Sequence, residues 1–546
     1  MRVAVVGGGP KGLFAVERLV ARLPDAAPVE IVVFDPQPPG WGAAYRPDQP
    51  GWLRLNVSAA IVDAGWRVPG EPTLGLPDFA TWRARRGEAE PLEPFPPRAL
   101  VGAYLAECWS MIAHRSPGGV GLEHRPRRIE SLAAEGEAWR IGDELFDEVL
   151  LATGHATDWP GVLRRDWRGT PTLVPAVYPT SRLDEATVPP NAVVTCRGAA
   201  LTFIDAALAL TEGRGGRFAD GSYRRSGAEP VVLRPVGRRG RFMEVKPQPG
   251  VRFGVEDLRE RGLRACRAAA GDVAGVLAAV RATAQSYLER VGGGALADDD
   301  FLLPAVADPL AELRRSLRVA RGDEVPRTPW ALGQAWRDLY PAIVDQLGNG
   351  WRGGSGGPGR SDGSDRAERA GGGGRRAATG TTDSPAATSS SAAPTGWDRF
   401  AEVARRLEPV AFGPPPVNAA KLVALGEAGL LDTRFLAGDW TGAIAGADVV
   451  IDCVLPPPGL VPGQWPATLV DAGILTRAPG RRGVAVAPDA SCLDADGRPI
   501  PGLSAVGRPT EDVVIGNDTL SRSLHPGIDH WADRVARMAL RQGVTA

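Results

Sequence analysis

The chain has 546 residues, more than one hydrophobic core organises, so two or three domains are expected. A formal net charge of −1 gives no global field for nucleic acid or an anionic membrane, and an apolar fraction of 43% is that of a globular chain. Five cysteines (Cys108, Cys196, Cys266, Cys453 and Cys492) stand far apart with no CxxC or Cys/His spacing, which excludes a dithiol redox motif and a zinc site and fits a reducing compartment. No charged n-region followed by an apolar stretch opens the sequence, and no apolar run approaches the ~20 residues of a membrane span, so a soluble cytoplasmic protein is expected.

In chain order, Arg2 to Val6 is a short apolar run of strand length ending at Gly7. A helical spacing follows in Leu13, Val16, Leu19 and Val20. A second strand, Val29 to Phe34, ends at Asp35, which makes a βαβ opening and predicts a parallel sheet. Glu148 to Ala152 reads as a strand running into Thr153-Gly154. Ala192 to Thr195, a helix over Leu201 to Leu210, and Pro230 to Leu233 read as a second βαβ unit. Strand-like runs return at Asp448 to Leu455 and Leu503 to Val506, and an amphipathic helix spans Ile528 to Leu540.

Residues 348–397 are rich in Gly, Ser, Thr, Ala and Pro with almost no large apolar side chains, a composition that cannot offset its ordering entropy. The resulting expectation is an α/β protein of two dinucleotide-binding (Rossmann-like) domains, the second inserted in the first, plus a disordered insertion. The boundaries are 1–160 for the first part of the first domain and 161–347 for the second domain. The insertion follows at 348–397, a helical continuation of the second domain at 398–436, and the C-terminal part of the first domain at 437–546.

Gly7-Gly8-Gly9-Pro10-Lys11-Gly12 satisfies G-x-G-x-x-G with a strand before it, a helix after it and an acidic residue at the next strand end. Gly7 allows the tight turn, Gly9 lets backbone approach a pyrophosphate, and Gly12 lets the helix pack on the sheet. Pro10 and Lys11 open that helix, whose N–H groups suit phosphates. Asp35 stands where a carboxylate accepts from a ribose diol, and its charge disfavours a 2′-phosphate. FAD or NAD is therefore favoured at this first site.

Asp147-x-x-x-Leu151-Ala152-Thr153-Gly154-His155 delivers a small Thr-Gly turn beside a bound dinucleotide. The second unit keeps Gly198 but places Ala200 and Phe203 at the other glycine positions. Arg234 and Arg238-Arg239-Gly240-Arg241 follow its next strand and suit a 2′-phosphate through charge-assisted bonds, so a degenerate NADPH module competes there with a solvated arginine cluster.

The Thr153-Gly154 segment resembles the signature of class B flavin monooxygenases, notably their amine N-hydroxylating branch. Gly42-Ala43-Ala44-Tyr45, Leu53-Arg54-Leu55-Asn56, Pro96-Pro97-Arg98, Leu201-Thr202-Phe203-Ile204-Asp205, Val454-Leu455-Pro456-Pro457-Pro458-Gly459 and Gly516-Asn517-Asp518-Thr519-Leu520-Ser521-Arg522-x-x-His525-Pro526 resemble a bacterial FAD/NAD(P)-binding family that includes aspartate N-hydroxylases of the nitrosuccinate-forming type. The resemblance implies that Asn56 faces the flavin and that Arg98 and Thr153 to His155 stand beside the cofactors. It also implies that Asn517, Asp518, Thr519 and Leu520 lie against the isoalloxazine, with a glycine-led helix start there; the plainer reading of Asn517 and Asp518 is as caps of that helix, and both can hold. The long F-x-G-x-x-x-H-x-x-x-W element of Baeyer–Villiger-type enzymes is absent.

By that resemblance the protein uses FAD, NADPH and O2 to N-oxygenate a small amine or amino acid, L-aspartate first, through a C4a-hydroperoxyflavin, in natural-product biosynthesis. The flavin carries the chemistry, so no catalytic side chain is assigned, and His155 and His525 are positional. Arg239, Arg241 and Lys246 are the candidates for substrate carboxylates. No metal, nucleic acid or membrane partner is expected; a homo-oligomer is left open. The alternatives are an NAD(P)H-dependent flavin oxidoreductase or oxidase without oxygen insertion, and a non-catalytic flavin-binding protein.

Overall fold

The computed structural model describes residues 1–87, 94–155, 159–297, 301–348 and 396–545. The first strand, β1 (Arg2–Val6), buries Val3, Ala4 and Val5 completely because helices or loops cover both faces of a parallel sheet. It leads into α1 (Pro10–Arg22), where Pro10 occupies the first helical turn without wasting an N–H. Next come β2 (Val29–Phe34), α2 (Arg98–Arg115), β3 (Val120–Arg125) and β4 (Glu148–Leu151).

The second unit contains β5 (Thr172–Val174), β6 (Val193–Arg197), α3 (Leu201–Ala209) and β7 (Val232–Val236). A run of helices follows: α4 (Glu256–Ala268), α5 (Val273–Val291), α6 (Pro309–Arg321), α7 (Thr328–Leu347), α8 (Gly396–Ala411) and α9 (Pro416–Glu427). The chain then adds β8 (Val449–Asp452), β9 (Ser491–Leu493), β10 (Pro499–Ala505) and α10 (Gly527–Thr545).

The first sheet has the order β9-β10-β4-β1-β2-β3, parallel throughout except for the β9–β10 pair. The second has the order β7-β6-β8-β5 and is wholly parallel. Its strands leave the chain after β4 and return it before β9, so the second parallel sheet is inserted in the first, as the sequence predicts. Both sheets have a switch point, where neighbours on either side of a central strand are reached in opposite directions: between β1 and β4, and between β6 and β8. Ligands of open parallel sheets bind in the crevice such a point creates.

The C-terminal return is held by buried polar bonds. Glu148 of β4 accepts from Ser504 Oγ (2.6 Å), Trp531 Nε1 (2.9 Å) and Arg534 (3.0 Å). Arg18 and Arg22 of α1 meet Asp529 at 3.0 and 2.6 Å, which fixes α10 on α1. The two units are tied by Arg98, which donates to Asp205 of α3 at 2.7 Å and to the Tyr178 hydroxyl at 3.3 Å, while Tyr178 also donates to Asp205.

Several expected limits shift. β8 lies within 437–546 yet pairs with β5 and β6, so that stretch of the expected C-terminal part belongs to the second sheet. The run read as Asp448 to Leu455 narrows to β8 because Asp448 turns its carboxylate to the Val193 N–H (2.8 Å) and a triple proline follows. Pro230 has no N–H for a ladder, and pairing starts instead at Val232 opposite Val193. Helices α4, α5, α7 and α8 form a cluster with its own core, including Val280, Tyr287, Trp330, Trp336 and Phe400. The expected 348–397 insertion falls, for residues 349–395, outside the described residues; α8 begins at Gly396. Among the described residues no helix is long and apolar enough to cross a membrane.

Candidate functional site

The two switch points face one cleft of about 3600 Å³. At the first, Gly7 has φ +111°, and a Cβ on it would sit 2.4 Å from the Ala152 carbonyl oxygen. A Cβ on Gly12 would sit 2.0 Å from the Gly7 oxygen. Strand crossing and helix packing therefore account for both glycines. Gly9 differs. Its backbone (φ −67°, ψ −171°) suits any residue, and a Cβ there would meet only Gly42 Cα at 3.5 Å. Neither strain nor packing requires glycine, which leaves close approach of a ligand at the α1 N-terminus as the physical reason for it.

Asp35 lines the cleft at the end of β2, but both its oxygens are engaged: Oδ2 accepts from Gly8 N and Oδ1 from Gln37 N, each at 2.8 Å. Its carboxylate shapes the glycine turn from the cleft wall. Lys11 lies in the first turn of α1, and burial pushes its ammonium down to about 8, with Asp518 opposing the shift and Arg522 adding to it.

Thr153, Gly154 and His155 leave β4 along the same wall. Burial and the Arg508 charge push His155 down to about 4. From the far end of the sequence, Asn517, Asp518, Thr519 and Leu520 reach this wall too. They do so in a turn, not at a helix start: α10 begins at Gly527, and the expected cap role fails because the Asn517 side chain folds back. Its Nδ2 donates to Glu511 Oε2 (2.8 Å) and to the Val514 carbonyl (3.2 Å). Asp518 accepts from Arg508 at 2.9 Å. His525 bonds the Gly516 carbonyl at 3.1 Å, and burial plus the Lys11 charge push it down to about 4.

The second switch point repeats the first. Gly7 N donates to Phe34 O and Gly198 N to Val236 O, both at 2.9 Å; Ala152 N donates to Val6 O (2.8 Å) and Cys453 N to Arg197 O (2.9 Å). Gly198 has φ +103°, and its added Cβ would meet the Cys453 oxygen at 3.3 Å. Ala200 and Phe203 replace the other two glycines, and Phe203 is wholly buried against Phe242.

The arginines separate by partner. Arg234 donates to the Ala443 and Ala445 carbonyls and is not free for a 2′-phosphate. Arg241 is neutralised by Glu312 at 3.1 Å, and Arg239 donates to the Arg405 carbonyl. Arg238 is exposed at the cleft. Arg98 also lines the cleft, but it is committed to Asp205, so its role is to join the two units. Lys246 donates to the backbone carbonyl of Asn56, which brings together two expected site residues 190 positions apart. Of the expected site residues Gly12, Arg234 and His525 stay off the cleft wall.

Sequence reading missed the indoles. Trp41, Trp52, Trp159 and Trp465 line the cleft with buried, unpartnered Nε1–H groups, and the Asn517 Oδ1 is a buried acceptor without a donor. Tyr340, Phe412, Arg337 and Arg508 were missed as well; they belong to no spaced motif. Unpartnered donors and a buried acceptor around a glycine cradle fit a dinucleotide with phosphate acceptors and ring N–H donors.

A family described as FAD-NAD(P)-binding matches residues 4–156. An L-aspartate N-monooxygenase (nitrosuccinate-forming) of Streptomyces davaonensis is 30% identical over 48% of this chain and 45% of its own. A nitrosuccinic acid synthase of Aspergillus oryzae is 31% identical over 42% of this chain and 38% of its own. The chain thus spans less than half the length of these relatives. Among solved structures, an L-lysine 6-monooxygenase from Pseudomonas syringae covers 99% of both chains at 14% identity with a TM-score of 0.45.

Proposed function

We propose that the cleft binds FAD and NADPH and that the protein N-oxygenates the amine of a small amino acid, L-aspartate first among candidates, in natural-product biosynthesis. The observation that carries the reading is Gly9, a glycine that only a closely approaching ligand explains, inside a domain of FAD-NAD(P)-binding type. The named activities of the partial relatives supply the substrate class.

Bound FAD, reduced by NADPH, supplies O2 activation and delivery of one oxygen atom. The chain's own residues do the rest. The turn at Gly7 to Gly12 and the α1 N-terminus would hold the diphosphate. Asn517 Oδ1 would accept an N–H of the ring system, and Arg238 is the arginine available to a 2′-phosphate. Leu53, Leu55, Tyr340 and Phe412 line the cleft and limit water near the reacting amine. His155 on the wall and His525 behind it, beside Lys11, are neutral near pH 7 and bring no charge to the cleft.

Ala200, standing where the first turn has Gly9, favours a second reading in which nicotinamide binding is weak and no oxygen is inserted. Purified protein decides between them. Co-purified FAD, with NADPH oxidation stimulated by aspartate, little H2O2 and an N-oxidised product by mass, supports the proposal. NADPH oxidation with stoichiometric H2O2 and no amine product supports the second reading, and a protein that binds no FAD overturns both.

A further inference from the structure

Two cations meet at the cleft, and among the described residues neither forms an ion pair with a carboxylate. Lys246 is 8% exposed; its Nζ donates to the Asn56 carbonyl and lies 5.7 Å from the centre of the Phe412 ring. Arg337 of α7 gives Nη1 to the carbonyls of Val410 (3.2 Å) and Ala411 (2.8 Å) and Nη2 to Gln334 Oε1 (2.6 Å). All of these acceptors are neutral. Among the described residues, the charged group that acts on Lys246 is Arg337, another cation.

The nearest carboxylates, Asp338 and Glu244, act on Arg337 through space without bonding to it, and one Glu244 oxygen is buried without a hydrogen-bond partner. Glu244, on the Lys246 segment, faces Arg241, Arg315 and the Ser316 hydroxyl. Asp338 accepts from Tyr287 (2.8 Å) and from the Gln334 amide (3.0 Å). Glu408 of α8 lies toward Arg239 and Arg482. Tyr340 of α7 packs its ring on Phe412, and Arg54, near Asn56, turns to the Phe95 carbonyl. An ammonium and a guanidinium gathered on neutral acceptors are unfavourable until an anion joins them.

We propose that Lys246 and Arg337 form a carboxylate-binding subsite of the cleft, which takes one carboxylate of an acidic amino acid or a related small dicarboxylate. This rests on the reading of the cleft as an amino-acid site. Burial, with Arg337 adding to it, brings Lys246 down to about 7, so the ammonium is only partly populated near neutrality. A bound carboxylate favours the protonated form. Binding therefore takes up a proton, and affinity falls as pH rises above 7, by about tenfold per unit at most.

The test is calorimetric titration of the full-length protein with succinate, which has no amine to oxygenate, from pH 6.5 to 8.5 in two buffers of different ionisation enthalpy. We expect proton uptake at pH 7 to 8 and affinity several-fold weaker at pH 8.5 than at 7.5. Lys246→Met weakens binding by at least about tenfold, and Lys246→Arg keeps binding while flattening its pH dependence. No succinate binding, or binding without proton exchange, overturns the subsite; so does a folded Lys246→Met protein that binds like wild type. If Lys246→Met does not fold, the wild-type proton count and Lys246→Arg decide. Succinate bound with proton uptake by a protein that oxidises no amine leaves the subsite standing and removes the N-oxygenase reading. Aspartate oxidation with pH-independent succinate binding does the reverse.

Discussion

At Gly12 a methyl group would press on the Gly7 carbonyl at 2.0 Å, whereas at Gly9 it would find 3.5 Å of clearance and an ordinary backbone conformation. The two alanine variants should therefore fail differently. Gly12→Ala should lower stability by about 1–3 kcal/mol or more, as overpacking does, and release cofactor only because the turn is distorted. Gly9→Ala should fold with stability within about 1 kcal/mol of wild type, and a small gain is allowed since alanine restricts the unfolded chain. It should nevertheless lose most of its flavin. Thermal unfolding paired with flavin content separates the cases; a Gly9→Ala protein that keeps a full flavin complement would remove the ligand explanation of that glycine. Residues fixed by local spacing, such as the first turn and Thr153-Gly154, are readable from sequence because strand, turn and helix lie within a few residues. Asp35 was readable in place but only half in role, since its bonds to Gly8 and Gln37 depend on how the turn folds back. Lys246 with Arg337 was not readable as a pair, because α7 reaches the cleft only through helical packing.

Between elements, the Arg98–Asp205–Tyr178 group is where α2 of the first unit meets α3 of the second. Asp205 is 2% exposed, so removing it strands the Arg98 guanidinium in a largely enclosed site. Asp205→Ala should cost about 3–5 kcal/mol, the usual penalty for breaking a buried pair. The double variant Arg98→Met/Asp205→Leu should cost less than either single change, because neither charge is then left alone. Denaturant unfolding of the four proteins measures the coupling; additive losses would show that the pair does not join the units. Sequence patterning revealed the two βαβ units because parallel strands buried on both faces read as apolar runs. It misplaced β8, since a strand of the second sheet that arrives after the long helical insertion looks, from sequence order alone, like part of the returning first domain. The α4 to α8 helices were missed as a layer. Each shows a helical apolar stripe, yet nothing local announces that the stripes of α4, α5, α7 and α8 share one core around Trp330 and Trp336 while α6 turns mainly to the other core.

Across the molecule, three basic groups from distant parts of the chain, Lys11, His155 and Lys246, line the cleft, and a fourth, His525, sits just behind it beside Lys11; burial holds each below its ordinary value. Such a cleft favours anions, and the molecule should record this in its acid sensitivity. For a histidine that titrates at about 4 when folded and at its ordinary value near 6.5 when unfolded, the unfolded chain binds the proton more tightly between those values. Its neutral form supports the fold above pH 6.5, and that support is lost as pH falls toward 4, by up to about 3 kcal/mol per histidine. Cofactor-free protein should therefore lose thermal stability steeply between pH 6.5 and 4.5. His525→Gln, which keeps a side-chain N–H for the Gly516 carbonyl and does not titrate, should show a shallower decline. Unfolding temperatures of the two proteins across that range make the comparison. Parallel curves would mean that His525 is not held neutral by its position between Gly516 and Lys11, and that acid acts on the protein elsewhere.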